Sequence, residues 1–166
     1  FKSFACDVSS MGQVKALAQH IRASGQPISG LINAAGVASM NLALTTPMET
    51  SARIVETNLL GTIFSCQALG PFLVRNKGGS IINFSTIAVA LALSGEAVYS
   101  ASKAGVEGFT RAFAREMSGF NVRVNCIAPG PIATDLIKGV SPVQIDSIIS
   151  QPVSYTHLTL PTKRIV

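Results

Sequence analysis

The chain has 166 residues, 48% hydrophobic and 13% charged, with a net charge of +5. That composition excludes a disordered chain and fits one domain with a sizeable core. It gives no support to a nucleic-acid partner: Lys163 and Arg164 supply two of the positive charges, and the other basic residues form no run and no interleaving with aromatics. Cys6, Cys66 and Cys126 are far apart and set in apolar stretches, so they are expected as buried free thiols of a reducing, cytoplasmic setting. His20 and His157 have no partner at ligand spacing, and no metal site is expected. The most apolar stretch, Ile81 to Leu93, is interrupted by Asn83, Ser85 and Thr86 and is too short to span a bilayer, so no membrane partner is expected.

In chain order, Phe1 to Val8 is strand-like and ends in Asp7, and this abrupt start reads as that of a fragment. Ser9 or Ser10 can cap a helix to about Ala23, with Val14, Leu17, Ala18 and Ile21 on one face; Gly25 to Pro27 break it. Ile28 to Asn33 is an apolar strand closed by Ala34, Ala35 and Gly36. A long helix is expected from Pro47 or Met48 to about Asn76, with Gly61 and Pro71 as irregularities. Gly78-Gly79 turns into a strand from Ser80 to Phe84, a helix follows from about Val98 to Met117, and Asn121 to Ile127 is the last strand before Pro129-Gly130-Pro131.

Helices alternating with continuous apolar strands predict an α/β fold, a doubly wound parallel sheet covered on both faces. Ligands of such sheets bind beyond the carboxyl ends of the strands. Asp7, Asn33 to Gly36, Ser85-Thr86 and Pro129-Gly130 all fall at those ends.

Tyr99 and Lys103 lie four residues apart, on one face of a predicted helix. A fixed ammonium near a phenol favours the phenolate and lowers its pKa, and a phenol tuned in this way can exchange a proton with an alcohol or a forming alkoxide. A hydroxyl from Thr86 or Ser85 could hold a carbonyl oxygen in line. The pair alone has an equally good structural reading: Tyr99 as a half-buried helix-end ring, and Lys103 heading a solvated row with Glu107, Arg111 and Arg115.

Taken together, INAAG (Ile32 to Gly36), INFST ending at Thr86, and VYSASK resemble the short-chain dehydrogenase/reductase family from Phe1 to about Leu136. That resemblance implies a Rossmann-like fold and hydride transfer between a nicotinamide and a small-molecule carbonyl or alcohol. It implies Tyr99 as general acid/base, Lys103 holding the nicotinamide ribose and lowering the Tyr99 pKa, Thr86 (or Ser85) as the orienting hydroxyl, and Asn58 supporting a relay water. Asp7 and Val8 would lie against the adenine. Asn33, Ala34, Ala35 and Gly36 would stabilise the sheet and line the cofactor cleft, where small side chains allow close backbone approach. Pro129, Gly130, Ile132 and Thr134 would flank the nicotinamide, with a lid over 136–150. The motifs look most like 3-oxoacyl and carbonyl reductases, which leans the cofactor to NADP(H) over NAD(H). The long helices resemble those that pair subunits, implying a homo-oligomer, dimer or tetramer.

Three departures stand out. Threonine occupies the position where the family usually has serine. The first βαβ unit, with its Gly-rich diphosphate turn, is lacking, so the fold is expected to be incomplete and the chain as it stands to bind cofactor weakly and turn over little. The partial domain therefore runs over 1–151, and the tail, 152–166, looks like translated adaptor sequence. Two rivals remain: a sugar-nucleotide epimerase or dehydratase, against which the Asn-Ala-Ala-Gly segment and Asn58 argue, and a non-catalytic subunit that keeps the helix-pairing surface.

Overall fold

The computed structural model describes residues 3–132. Helix α1 (Met11–Ser24) starts where Ser10 Oγ accepts from the Gln13 N–H, and ends at Gly25, whose φ of 65° lets its N–H turn back to the Arg22 carbonyl. Strand β1 (Gly30–Asn33) leads through one 3-10 turn to α2 (Met48–Val55), a π-turn (Glu56–Leu60) and α3 (Gly61–Arg75). These three form one continuous helical rod, and Pro71 does not break it. Strand β2 (Gly79–Phe84), the short α4 (Ala88–Leu91), α5 (Ala97–Met117) and strand β3 (Val122–Ile127) complete the described chain.

The three strands are parallel in the order β1-β2-β3, with Gly30 level with Ser80 and Asn33 with Asn83, then Gly79 with Val122 and Phe84 with Ile127. At the start of β2 a side chain on Gly79 would sit 2.7 Å from Leu73 Cδ2 and 2.8 Å from the Ser29 carbonyl, so only glycine lets α3 turn so closely into the sheet. Cys66 and Leu73 of α3, Ile81 of β2, Met117 of α5, and Val122 and Val124 of β3 form the core, with Leu31 and Phe113 packed against it. Burial of these side chains is the main stabilising term.

Two expectations are corrected. Residues 3–8 form no strand: a strand needs a hydrogen-bonding neighbour, and among the described residues the free edge of β1 is unpaired. Nor is the sheet covered on both faces among the described residues. Both α3 and α5 lie on the side of Leu31, Ile81 and Val124, while Ile32, one residue out of phase, is 64% exposed. The fold is thus an incomplete Rossmann-like α/β layer, a parallel sheet with its helices on one face. The rod from Met48 to Arg75 is long and apolar enough to cross a membrane, yet half of that window is buried in the fold. The stretch from Ile81 to Leu93 is divided between β2, a loop and α4.

Candidate active site

The π-turn is the irregularity foreshadowed at Gly61. It carries Asn58, which is fully buried, and such turns widen a helix locally to re-aim a side chain. Asn58 Oδ1 accepts from the Val37 N–H at 2.8 Å, and Nδ2 donates to the Val37 carbonyl at 2.9 Å and to Ser102 Oγ at 3.1 Å. Ser102 Oγ in turn donates to the Tyr99 carbonyl at 2.7 Å. Asn58 therefore straps the loop after β1 to α5. Both its amide hydrogens are committed, and its own carbonyl is taken by the Thr62 hydroxyl at 2.8 Å. Gly61 admits the neighbouring loop, since a Cβ there would meet Val8 Cγ2 at 2.7 Å.

Tyr99 and Lys103 stand one turn apart on α5, 7% and 6% exposed. The solvated-row reading of Lys103 is thus corrected; further along, exposed Arg111 makes a loose ion pair at 3.8 Å with the largely buried Glu107. Lys103 Nζ donates to the Phe84 carbonyl at 2.9 Å, at the carboxyl end of β2. A Cβ on Gly36 would lie 3.5 Å from Nζ and 3.3 Å from Asn58 Oδ1, so Gly36, Lys103 and Asn58 converge on one point.

Of the two hydroxyl candidates, Thr86 is the one that acts on Tyr99, its hydroxyl favouring the ionised phenol, and Thr86 Oγ1 accepts from the Ala88 N–H. Ser85 is turned away, its hydroxyl donating to Glu107 Oε1 at 2.6 Å, with the Lys103 carbonyl as a second acceptor at 3.4 Å.

The expected lowering of the Tyr99 pKa by Lys103 is corrected. Burial pushes the phenol up from its ordinary value, the Thr86 hydroxyl pulls the other way, and the Glu96 carboxylate adds to the rise. Burial also pulls the Lys103 ammonium down, partly opposed by Cys126. The physical reason is placement: two poorly solvated groups each favour their neutral forms, and the ammonium is aimed at a backbone carbonyl instead of at the phenol.

Asn33 Nδ2 donates to Asn83 Oδ1 at 2.8 Å and contacts Cys66 Sγ at 3.3 Å, while Asn83 Nδ2 donates to Thr110 Oγ1 at 2.9 Å. This chain ties β1, β2 and α5 together behind the site. Sequence reasoning missed Asn83, Thr110, Ser102 and Glu96. A polar residue inside an otherwise apolar strand was the available signal for Asn83.

Ala34, Ala35 and Gly36 lie exposed at the carboxyl end of β1. The Pro129 carbonyl accepts from the Ile87 N–H at 3.1 Å, which brings the segment after β3 beside Thr86. Gly130 and Ile132 are exposed there, and a Cβ on Gly130 would meet open space. Asp7 is exposed and accepts from the Ser9 N–H and hydroxyl at 2.9 and 2.7 Å, which hold its carboxyl below the usual carboxylate range. Thr134, the lid and the tail lie outside the described residues. All three cysteines are free, though only Cys66 is fully buried; burial pushes its thiol up to about 12. No metal-binding cluster occurs among the described residues.

A nicotinamide cofactor fits these residues. The small-residue shelf at Ala34 to Gly36 ends at an ammonium with two of its three donors uncommitted to Phe84.

Comparison with known proteins identifies the family. The family model described as short chain dehydrogenase matches residues 1–144. Carbonyl reductase family member 4 of Danio rerio is 40% identical over 139 residues, covering 82% of this chain and 57% of that protein. The 3-oxoacyl-[acyl-carrier-protein] reductase of Homo sapiens is 37% identical over 136 residues, with 82% and 57% covered. The Chlamydia pneumoniae reductase of the same description is 36% identical over 130 residues, with 78% and 52% covered. The chain thus spans little more than half the length of these curated relatives, and it belongs to the short-chain dehydrogenase family.

Proposed function

We propose that this chain carries the proton-transfer half of an NAD(P)(H)-dependent oxidoreductase that interconverts a small-molecule carbonyl and an alcohol. The observation that carries the reading is the burial of Tyr99 and Lys103 on one face of α5, with the Thr86 hydroxyl on the phenol and Gly36 against the ammonium.

The bound cofactor supplies or accepts hydride; everything else falls to the side chains. Thr86 holds the carbonyl oxygen against the Tyr99 hydroxyl, and Tyr99 gives its proton to that oxygen as charge develops, or takes it back in the reverse direction. Lys103 uses its remaining donors on the cofactor ribose. Asn58 holds the loop carrying Gly36 and Val37 at the distance this needs. Asn33 to Gly36 and Pro129 to Ile132 line the cofactor path, and Asp7 and Val8 meet the adenine end.

The substrate is of the 3-oxoacyl or simple carbonyl class, with NADP(H) favoured, following the relatives' names and the motif resemblance. The complete protein pairs as a dimer or tetramer through the rod of α2 and α3 together with α5, and three unpaired thiols suit the cytoplasm. Without a Gly-rich diphosphate turn, this chain alone binds nicotinamide weakly; a low-micromolar dissociation constant for the isolated chain contradicts that. The test of the main reading is carbonyl-dependent oxidation of NADPH and NADH by the full-length protein that carries this chain. Tyr99→Phe is expected to cut turnover by about 10²-fold or more while cofactor binding persists. Unchanged turnover would favour a non-catalytic subunit.

A further inference from the structure

Three consecutive residues at the carboxyl end of β2 are each held to α5 by a side-chain hydrogen bond. Asn83 Nδ2 donates to Thr110 Oγ1 at 2.9 Å, the Phe84 carbonyl accepts from Lys103 Nζ at 2.9 Å, and the Ser85 hydroxyl donates to Glu107 Oε1 at 2.6 Å. Opposite charges one turn apart on a helix, as Lys103 and Glu107 are, ordinarily pair with each other. Here each reaches instead to the strand end, and the ion partner of Glu107 is Arg111, at 3.8 Å too distant for a hydrogen bond. The Glu107 side chain is only 13% exposed, and a carboxylate taken that far from water needs a donor in return. The buried Ser85 hydroxyl is that donor, and its short bond is of the charge-assisted kind. The Ser85 N–H is fixed as well, to the Ile127 carbonyl at 2.8 Å. Glu107 has no part in the proton transfer described above.

We propose that Glu107 is a positioning residue of the Tyr99 site: through Ser85 it fixes the end of β2 against α5, and with it the place of the Thr86 hydroxyl relative to the phenol. Thr86 follows Ser85 directly, and Tyr99 lies about two turns before Glu107 on α5. A shift of the strand end along or away from the helix therefore carries Thr86 with it. Of the three tethers, the one from Asn83 to Thr110 lies further back along the strand. Lys103 divides its donors between Phe84 and the cofactor in the reading above. The bond from Ser85 to Glu107 is thus the tether beside Thr86 that cofactor binding leaves alone. The same bond sorts the two adjacent hydroxyls: it commits the one Ser85 proton to a carboxylate and leaves the substrate oxygen to Thr86. This inference rests on the reading of Thr86 and Tyr99 as the carbonyl-orienting and proton-transferring pair.

The test is steady-state carbonyl reduction by the full-length protein that carries this chain, run in light and heavy water with nicotinamide binding measured alongside. Glu107→Ala is expected to lower kcat by about tenfold, as a misplaced reacting group does, and to enlarge the solvent isotope effect as the proton step slows. Its nicotinamide dissociation constant should stay within about twofold of the parent's, a split that general loss of structure would not give. Glu107→Gln, whose amide oxygen still accepts from Ser85, is expected to restore both kcat and the isotope effect. Glu107→Ala with the parent's kcat and isotope effect overturns the proposal. Should that variant not fold, Ser85→Ala cuts the same bond from the other side: a smaller fall in kcat with a raised isotope effect is expected, and a parental isotope effect overturns the proposal. Should the parent show no turnover, the Tyr99 Cζ resonance, assigned by its loss in Tyr99→Phe, is compared instead. It is expected to move in Glu107→Ala and to return in Glu107→Gln, and an unmoved resonance overturns the proposal. Unchanged turnover in Tyr99→Phe contradicts the main reading, whereas an unaffected Glu107→Ala beside an inactive Tyr99→Phe contradicts only this one.

Discussion

Replacing Asn58 by alanine tests the strap that builds the site. The side chain makes three hydrogen bonds, two of them to both backbone groups of Val37 and one to Ser102. Removing it leaves the Val37 N–H and carbonyl without partners in a partly buried position, at about 1–3 kcal/mol for each unsatisfied group. With some relief from entering water, the expected loss is about 2–5 kcal/mol, a large part of the roughly 5–15 kcal/mol that holds a domain together. In urea unfolding followed by circular dichroism this corresponds to a fall of about 1–2 M in the midpoint. Asn58→Asp keeps an acceptor for the Val37 N–H but removes both donors and sets a carboxylate against a carbonyl, so it should also destabilise, less so at acidic pH where the new carboxyl can donate. A cycle with Ser102→Ala should give a coupling of about 1 kcal/mol. An Asn58→Ala midpoint equal to the parent's would refute the strap and leave Asn58 free for a water.

Further outcomes follow from the same geometry. In the full-length protein Thr86→Ala is expected to lower turnover by about 10²–10³-fold, as for a lost oxyanion donor, whereas Ser85→Ala should leave turnover much closer to the parent's because its hydroxyl serves Glu107; the reverse ranking in steady-state assays would reassign the hydroxyl. The Cys66 thiol is raised by burial from 9.0 to about 12, so the stability it contributes is fully present below about pH 9 and lost as the pH rises through about 12. Cys66→Ala should therefore flatten the alkaline fall of urea stability, and an unchanged slope would contradict the assignment.

Much of the fold was legible because it depends on local pattern. Ser10, Gly25 and the apolar spacing of α1 mark its ends, and the runs read as strands over Ile28 to Asn33, Ser80 to Phe84 and Asn121 to Ile127 form the parallel strands within two residues of those bounds. What failed depends on partners that a sequence window does not contain. Residues 3–8 have strand composition but do not pair with the free edge of β1, and Ile32 has an apolar side chain that no described residue covers. Spacing placed Lys103 on one face with both Tyr99 and Glu107, yet only packing decides that this face meets the sheet at Lys103 and solvent at Arg111. The same limit explains the reversed direction at Tyr99: the nearby cation was visible in the sequence, the burial was not. Asn58 was singled out by resemblance, but its grip on Val37 depends on the π-turn, of which the sequence marked only an irregularity at Gly61.

The central claim is that Tyr99 supplies the proton in a hydride transfer to a carbonyl carbon. The most direct measurement is reduction of a 3-oxoacyl or simple ketone substrate by the full-length protein, using a reduced nicotinamide deuterated at C4, with the product alcohol examined by mass spectrometry. The account requires deuterium on the carbinol carbon, with little product from Tyr99→Phe. A product lacking the label, or equal labelled product from Tyr99→Phe, would contradict it.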